Sequence, residues 1–250
     1  MNTTGTGAEV WYLYHSGFAV KTPNHFLIFD YYNDTPFGRE RGLAGGVIDP
    51  EEIRFQNVLA FSSHRHGDHF SPKIFAWEKT VKNISYILSY DIRSMKMPSS
   101  ALSVSPGKNY SAHGAQIKVL RSTDEGVAFL VEVDGLTVYH TGDLNWWHWE
   151  GEPDRDNQMM AKAYMEQIDT LKGTRIDIAF VPLDPRLEKQ YLWGLDYLMK
   201  TADVKTVFPM HFWDDFSAMD RLQKDPGAAA YLDKVRLISR RGQKFDLPIV

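Results

Sequence analysis

Val58-Leu59-Ala60-Phe61-Ser62-Ser63-His64-Arg65-His66-Gly67-Asp68-His69-Phe70 is the stretch that decides how the chain is read. Val58 to Phe61 is an apolar run with the character of a buried strand. Directly after it, three histidines and one aspartate fall within six positions. Imidazole and carboxylate at this density point to a first-row metal, zinc in particular. On a helix, His64 and Asp68 would share a face while His66 turned away. A tight loop at a strand end can aim all four inward. The expectation is a metal loop on the rim of a sheet.

Working outward, the residues before the loop read as strands: Val10–Tyr14, Phe18–Lys21 and Phe26–Phe29. Turn chemistry separates them at His15-Ser16-Gly17 and Thr22-Pro23-Asn24-His25. Residues 33–48 read as a long loop, and Asp49-Pro50-Glu51-Glu52-Ile53 as the start of a short helix. After the loop, Ser71-Pro72 opens a helix running to about Lys79, and Ile84–Leu88 is a strand. Residues 101–140 are β-rich, with strands at Ala101–Val104, Gln116–Leu120, Val127–Val133 and Thr137–His140. Asp134-Gly135 is a strong hairpin signal between the last two. Beyond residue 150, Met160, Tyr164, Ile168 and Leu171 recur at helical spacing, as do Leu187, Tyr191, Leu195, Leu198 and Met199. Ile176–Val181 and Val204–Phe208 read as strands, 214–222 as a helix, and Val235–Ile238 and Phe245–Ile249 as closing strands. Without repeats or linkers, residues 1–250 read as a single domain.

The chain has no cysteine, which removes disulfides, thiolate zinc sites, iron–sulfur clusters and cysteine nucleophiles. Its 28 Lys and Arg against 32 Asp and Glu give a net charge of −4. The basic residues never form a run, which argues against a nucleic-acid partner. Met1 to Glu9 lacks the basic start and apolar stretch of a signal peptide, and no apolar run has membrane length. The expectation is a cytoplasmic protein without membrane contact.

Further ligands are expected at other strand ends, where sheets place their sites. Val138-Tyr139-His140-Thr141-Gly142-Asp143 ends a strand at a glycine that permits a sharp turn and exposes Asp143. Val207-Phe208-Pro209-Met210-His211 brings a histidine just past another apolar strand.

His64-x-His66-x-Asp68-His69, then Gly142-Asp143 after a strand, then His211 after Pro209-Met210, resembles the metallo-β-lactamase superfamily. The likeness is greatest to the branch that includes ascorbate-6-phosphate lactonase and related hydrolases. The segment from His15 to Asp30 ("HSGFAV…LIFD") and that from Asp177 to Asp184 ("DIAFVPLD") add to it. The resemblance implies an α+β fold, an αββα sandwich of two mixed sheets flanked by helices, with a two-metal site at one edge. By the family pattern, His64 and His66 hold one metal, Asp68, His69 and His211 the other, and Asp143 bridges them. The implied activity is that of a metal-dependent hydrolase whose metal-bound hydroxide cleaves a small ester, lactone or phosphoester. Two zinc ions are the implied cofactor. The first metal lacks its usual third histidine, because Arg121-Ser122-Thr123-Asp124-Glu125-Gly126 contains none. Asp124 is the expected substitute, with His113 as an alternative; otherwise a single metal would sit on Asp68, His69 and His211. A more oxygen-rich set would admit manganese or iron.

Asp68 and His140 are the catalytic candidates, and His140, Asp30 and His15 are also read as groups that orient ligands. Trp146, Trp147 and Trp149, around His148, either wall a pocket for a small-molecule substrate or make core or homo-oligomer contacts. Arg186 is either a clamp for an anionic substrate or one half of a surface ion pair. A non-enzymatic metal-binding or sensing protein and a ribonuclease Z-type nuclease are the alternative functions. A flavodiiron-type redox role is disfavoured by His66, where those proteins carry Glu.

Overall fold

Near-continuous apolar runs such as Phe26–Phe29 and Val58–Phe61 bury both faces of a sheet, and this chain has two sheets. The computed structural model describes residues 7–93 and 97–248. The expected end of the last strand at Ile249 and the start of the N-terminal stretch lie outside them. In chain order the strands are β1 (Gly7–Tyr14), β2 (Gly17–Lys21), β3 (Phe26–Phe29), β4 (Val58–Ser62), β5 (Ile84–Ser89), β6 (Ala101–Val104), β7 (Asn109–Ala112), β8 (Ala115–Arg121), β9 (Val127–Val133), β10 (Leu136–His140), β11 (Arg175–Ile176), β12 (Ile178–Pro182), β13 (Asp203–Val204), β14 (Val207–Met210) and β15 (Lys244–Pro248). The α-helices are α1 (Asp154–Asp169), α2 (Trp193–Thr201) and α3 (Ser217–Lys224).

One mixed sheet has the order β15-β1-β2-β3-β4-β5-β6 and the other β14-β12-β10-β9-β8-β7, with β11 and β13 as a small parallel pair. Leu27 and Phe29 of β3 and Leu59 and Phe61 of β4 meet Phe129, Val131, Val138 and Phe180 in the core between the sheets. The alternate residues, Phe26, Ile28, Val58 and Ala60, turn outward and pack with Ile74 and Trp77. Each such large apolar side chain contributes about 1.5–3 kcal/mol on burial. Helices α1 and α2 pack together, and α2 lies against β12. The result is two mixed sheets flanked by helical layers.

Several expected elements differ in detail. Residues 50–55 form turns rather than a helix, with Asp49 Oδ1 accepting from the Glu51 N–H at 3.0 Å. Only Ile53 of Glu51–Phe55 is buried, too little apolar surface to extend a helix. Pro72–Lys79 is a 3₁₀ helix whose Ser71 cap accepts from Lys73 N. The helix expected over Leu187–Met199 is interrupted at Glu188, where φ is 50°. Val235–Ile238 makes only one bridge, from Val235 to Val207, and is not a strand. β7, unforeseen, is a polar edge strand of Asn, Tyr, Ser and Ala. No helix among the described residues is long and apolar enough to cross a membrane.

β3, β4 and β5 run parallel in the first sheet, and β10, β12 and β14 in the second. Their carboxyl ends gather Asp30, His64–His69, Asp143, Asp184 and His211 at one edge of the sandwich. The sheets are tied there by Val127 N–H, which donates across to Ser63 O at 2.9 Å.

Candidate metal centre

Three histidines of the centre are fixed through Nδ1. His69 Nδ1 donates to Asp30 Oδ2 at 2.7 Å, and His211 Nδ1 to Asp184 Oδ2 at 2.9 Å. His64 Nδ1 lies 3.0 Å from Ser63 Oγ, which itself donates to Asp30 Oδ2 at 2.7 Å. Asp30 also accepts the Ser63 N–H at 2.7 Å. So anchored, each ring presents Nε2 to Asp143. His69 and His211 come within 3.3 Å of Oδ1, and His64 within 3.5 Å of Oδ2.

These separations are too long for good hydrogen bonds. Two donors about 2.1 Å from a shared ion, at a tetrahedral angle, stand about 3.4 Å apart. His64 Nε2, His69 Nε2 and Asp143 Oδ1 are moreover buried without hydrogen-bond partners. Orphaned donors at coordination spacing, with the far nitrogen of His69 held by a carboxylate and that of His64 by a serine hydroxyl, fit a metal centre. His64, His66 and Asp143 form one cluster within coordination reach, and His15, His69 and His211 another.

The backbone is strained to achieve this. Among the described residues, seven non-glycines have positive φ, and four belong to the centre: His15 (56°), Asp30 (44°), His211 (71°) and Trp213 (48°). Gly142, at φ 50°, passes so near Ser63 that a Cβ would stand 2.5 Å from the serine Cβ.

Burial alone would raise the Asp143 carboxyl, but His69, His211 and His64 hold it well below the usual range. Burial works against a charged His211, yet Asp143 and Asp184 raise it to about 10 in the metal-free protein. Burial pushes His64 and His15 down, so both are neutral and have a nitrogen lone pair to offer.

The remaining candidates divide. Asp68 is partly exposed at the mouth, its Oδ2 3.6 Å from His15 Nε2. His66, also partly exposed, faces Glu125 Oε2 at 3.6 Å. Glu125 is gripped by Arg65 Nε and Nη2 at 2.8 and 2.9 Å. Asp124 is exposed and only its N–H is engaged, by Ser122 Oγ. His113 bonds Ser85 Oγ far from the centre. The acid brought to His66 is therefore Glu125, one residue on from the expected Asp124.

His140 accepts the Gly142 N–H through Nδ1 and donates to Ser16 O through Nε2, leaving no nitrogen for chemistry. It stacks on Phe29 and stiffens the Gly142 turn. Trp147 donates to Asp143 O at 2.9 Å, sets its ring 5.3 Å from that of His211, and stacks on Trp149. Trp146 instead packs against Trp193, Tyr164 and Tyr197, away from the centre. Arg186 pairs with Asp184 and lies over Trp149 and Trp213, with Cζ 5.6 and 4.8 Å from the ring centroids. Asp184, Glu125 and Trp213 were not foreseen as parts of the site. Glu125 and Trp213 lie next to or near expected ligands in sequence, and Asp184 closes the Asp177–Asp184 segment that carries part of the family resemblance.

A sequence profile described as a β-lactamase superfamily domain matches residues 9–150, more than half of the chain. The chain belongs to the metallo-β-lactamase superfamily. Within this superfamily, a UPF0173 metal-dependent hydrolase of Archaeoglobus fulgidus is 22% identical over 236 residues, covering 87% of each chain. A UPF0173 metal-dependent hydrolase of Thermococcus kodakarensis is 24% identical over a shorter span, 54% of this chain and 61% of that one. Among solved structures, Igni18, a metallo hydrolase of Ignicoccus hospitalis, superposes with a TM-score of 0.64 at 18% identity. That match covers 98% of this chain and 100% of Igni18, and shows the shared fold.

Proposed function

We propose that the protein is a metal-dependent hydrolase that cleaves a small ester, lactone or phosphoester. The observation that carries this is the convergence of three anchored imidazoles on the two oxygens of Asp143 at coordination spacing. His64, His66 and Asp143 Oδ2 would hold one ion, with Glu125 as the nearest further carboxylate. His69, His211, Asp68 and Asp143 Oδ1 would hold the other. When bound, the ions supply Lewis acidity and a water acidified toward neutral pH. The relatives named as metal-dependent hydrolases support the same reading.

The protein's own groups do the rest. Asp30, Ser63 and Asp184 keep the ligand rings from turning. Trp147, Trp149 and Trp213 wall one side and exclude water. Asp68, the partly exposed acid of the set, is placed to hold or pass a proton at the mouth. Asp184 takes Nε and Nη2 of Arg186, leaving Nη1 for an anionic group on the substrate. With Glu125 in place of an imidazole, the first position is richer in oxygen and accepts manganese or iron as well as zinc.

The test is elemental analysis of the purified protein together with a panel of esters, lactones and phosphodiesters. A bound transition metal, and turnover abolished in His66→Ala, are expected. Metal bound without any turnover would favour the sensing alternative, and absence of metal would end both readings.

A further inference from the structure

We propose that His15 is itself a ligand of the ion held by His69 and His211, rather than a group that orients other ligands. The proposal rests on the metal-centre reading above and adds a donor to it. His15 lies in the tight turn between β1 and β2, and its side chain is fully buried. Neither ring nitrogen has a hydrogen-bond partner. A histidine whose ring only orients a neighbour holds it by a ring hydrogen bond, as His140 holds the Gly142 N–H; the His15 ring makes none.

Its position matches coordination. Ligand nitrogens of His15, His69 and His211 all lie within 4.8 Å of one another. The His15 and His211 rings are 4.1 Å apart between centroids, and the His15 and His69 rings 5.5 Å apart and edge-on. His15 Nε2 and Asp68 Oδ2 are separated by 3.6 Å, close to the edge of a coordination polyhedron and too long for a bond between them.

The backbone holds His15 in place from both ends. Its N–H donates to Tyr12 Oη at 2.9 Å, and its carbonyl accepts the His211 N–H at 3.1 Å. Both partners of that second bond are in the left-handed region, at φ 56° and 71°. Trp213 covers the outer face of the ring, 4.1 Å away and nearly parallel. Strain shared by two directly bonded residues, with an aromatic lid over one of them, is a constraint that aims the imidazole inward.

The consequence is inequality between the two positions. The inner one gathers three imidazoles with Asp68 and Asp143. The outer one has two imidazoles, Asp143 and the carboxylate of Glu125 already engaged by Arg65, and so keeps room for water and substrate.

The test loads the full-length protein, with isotope-labelled histidine nitrogens, with a spin-half cadmium isotope. Cadmium bonded to an imidazole nitrogen splits that nitrogen's resonance. His15→Asn identifies the His15 signal by its loss, Asn being chosen because it tolerates positive φ better than most other non-glycine residues. Splitting at His15 as well as at His64, His66, His69 and His211 supports the proposal. Splitting at those four with His15 unsplit overturns it and leaves the metal centre standing. No splitting at any histidine overturns both. If His15→Asn does not fold, the number of split histidines in the wild-type spectrum, five or four, decides alone. A loss of cadmium affinity of about 100-fold or more in His15→Asn, beyond the effect of losing an orienting group, is also expected.

Discussion

β10 begins after Asp134-Gly135 and ends before Gly142-Asp143, so one strand carries an aspartate–glycine turn at each end of the sandwich. The two aspartates have opposite surroundings. Asp134 accepts from Thr22 Oγ1 at 2.5 Å, from Asn24 N and Nδ2 at 2.9 and 3.0 Å, and lies 3.0 Å from His25 Nδ1. Asp143 Oδ1 has no hydrogen bond, and the imidazoles around the carboxylate stand off at 3.3–3.5 Å. A few tenths of an ångström separate a clasp that closes the two sheets from a cavity shaped around a cation. Polar density alone is therefore no sign of a site; polar density left unsatisfied is.

The most severe break of this contrast is Asp143→Ala. It is expected to remove bound metal and to lower hydrolysis by about three orders of magnitude or more, near 4 kcal/mol in the barrier. Asp134→Ala should do the reverse, lowering stability by about 2 kcal/mol while metal content stays at the wild-type level. If both variants lose metal equally, the two ends are not independent. Smaller still, Glu125→Gln should weaken the outer ion by about 10-fold in chelator competition and spare the inner one.

The two ends should also respond to pH in opposite directions. Burial works against the Asp134 carboxylate, but its hydrogen bonds from Thr22, Asn24 and His25 hold its pKa below normal. The stability it contributes is present above its unfolded value of about 3.9 and is lost as pH falls. His211 in the metal-free protein is raised to about 10 by Asp143 and Asp184 against the effect of burial. Its contribution is complete below about pH 6.5 and is lost as pH rises through 10. Metal binding at neutral pH must displace that proton. His69 is raised as well, by Asp143 and Asp30 against burial, so calorimetry in two buffers of different ionisation heat should show net proton release on metal binding.

Most of the frame was legible because short apolar runs and turn residues are local signals. Phe26–Phe29, Val58–Phe61 and Val127–Val133 each fall where the sequence puts a strand. The ligand loop was legible for the same reason, its three histidines lying within six positions of the chain. Glu125 was harder, since choosing it over Asp124 depends on the turn before β9 and on the grip of Arg65 from another loop. His140 shows a signal that was present and underused. It shares the face of Leu136 and Val138, so alternation sends its ring between the sheets instead of out to the edge. Trp146 and Trp147 point to opposite sides because an irregular loop has no periodicity to read. Asp184 and Trp213 matter only through contacts across the sheet and within a strained turn.

The bond from Val127 N–H to Ser63 O joins one sheet to the other directly beneath His64. Its proton can exchange with solvent only when that edge of the sandwich opens. Its deuterium uptake rate is thus a clock for opening at the centre, readable without any substrate, and it should slow when the ions are in place.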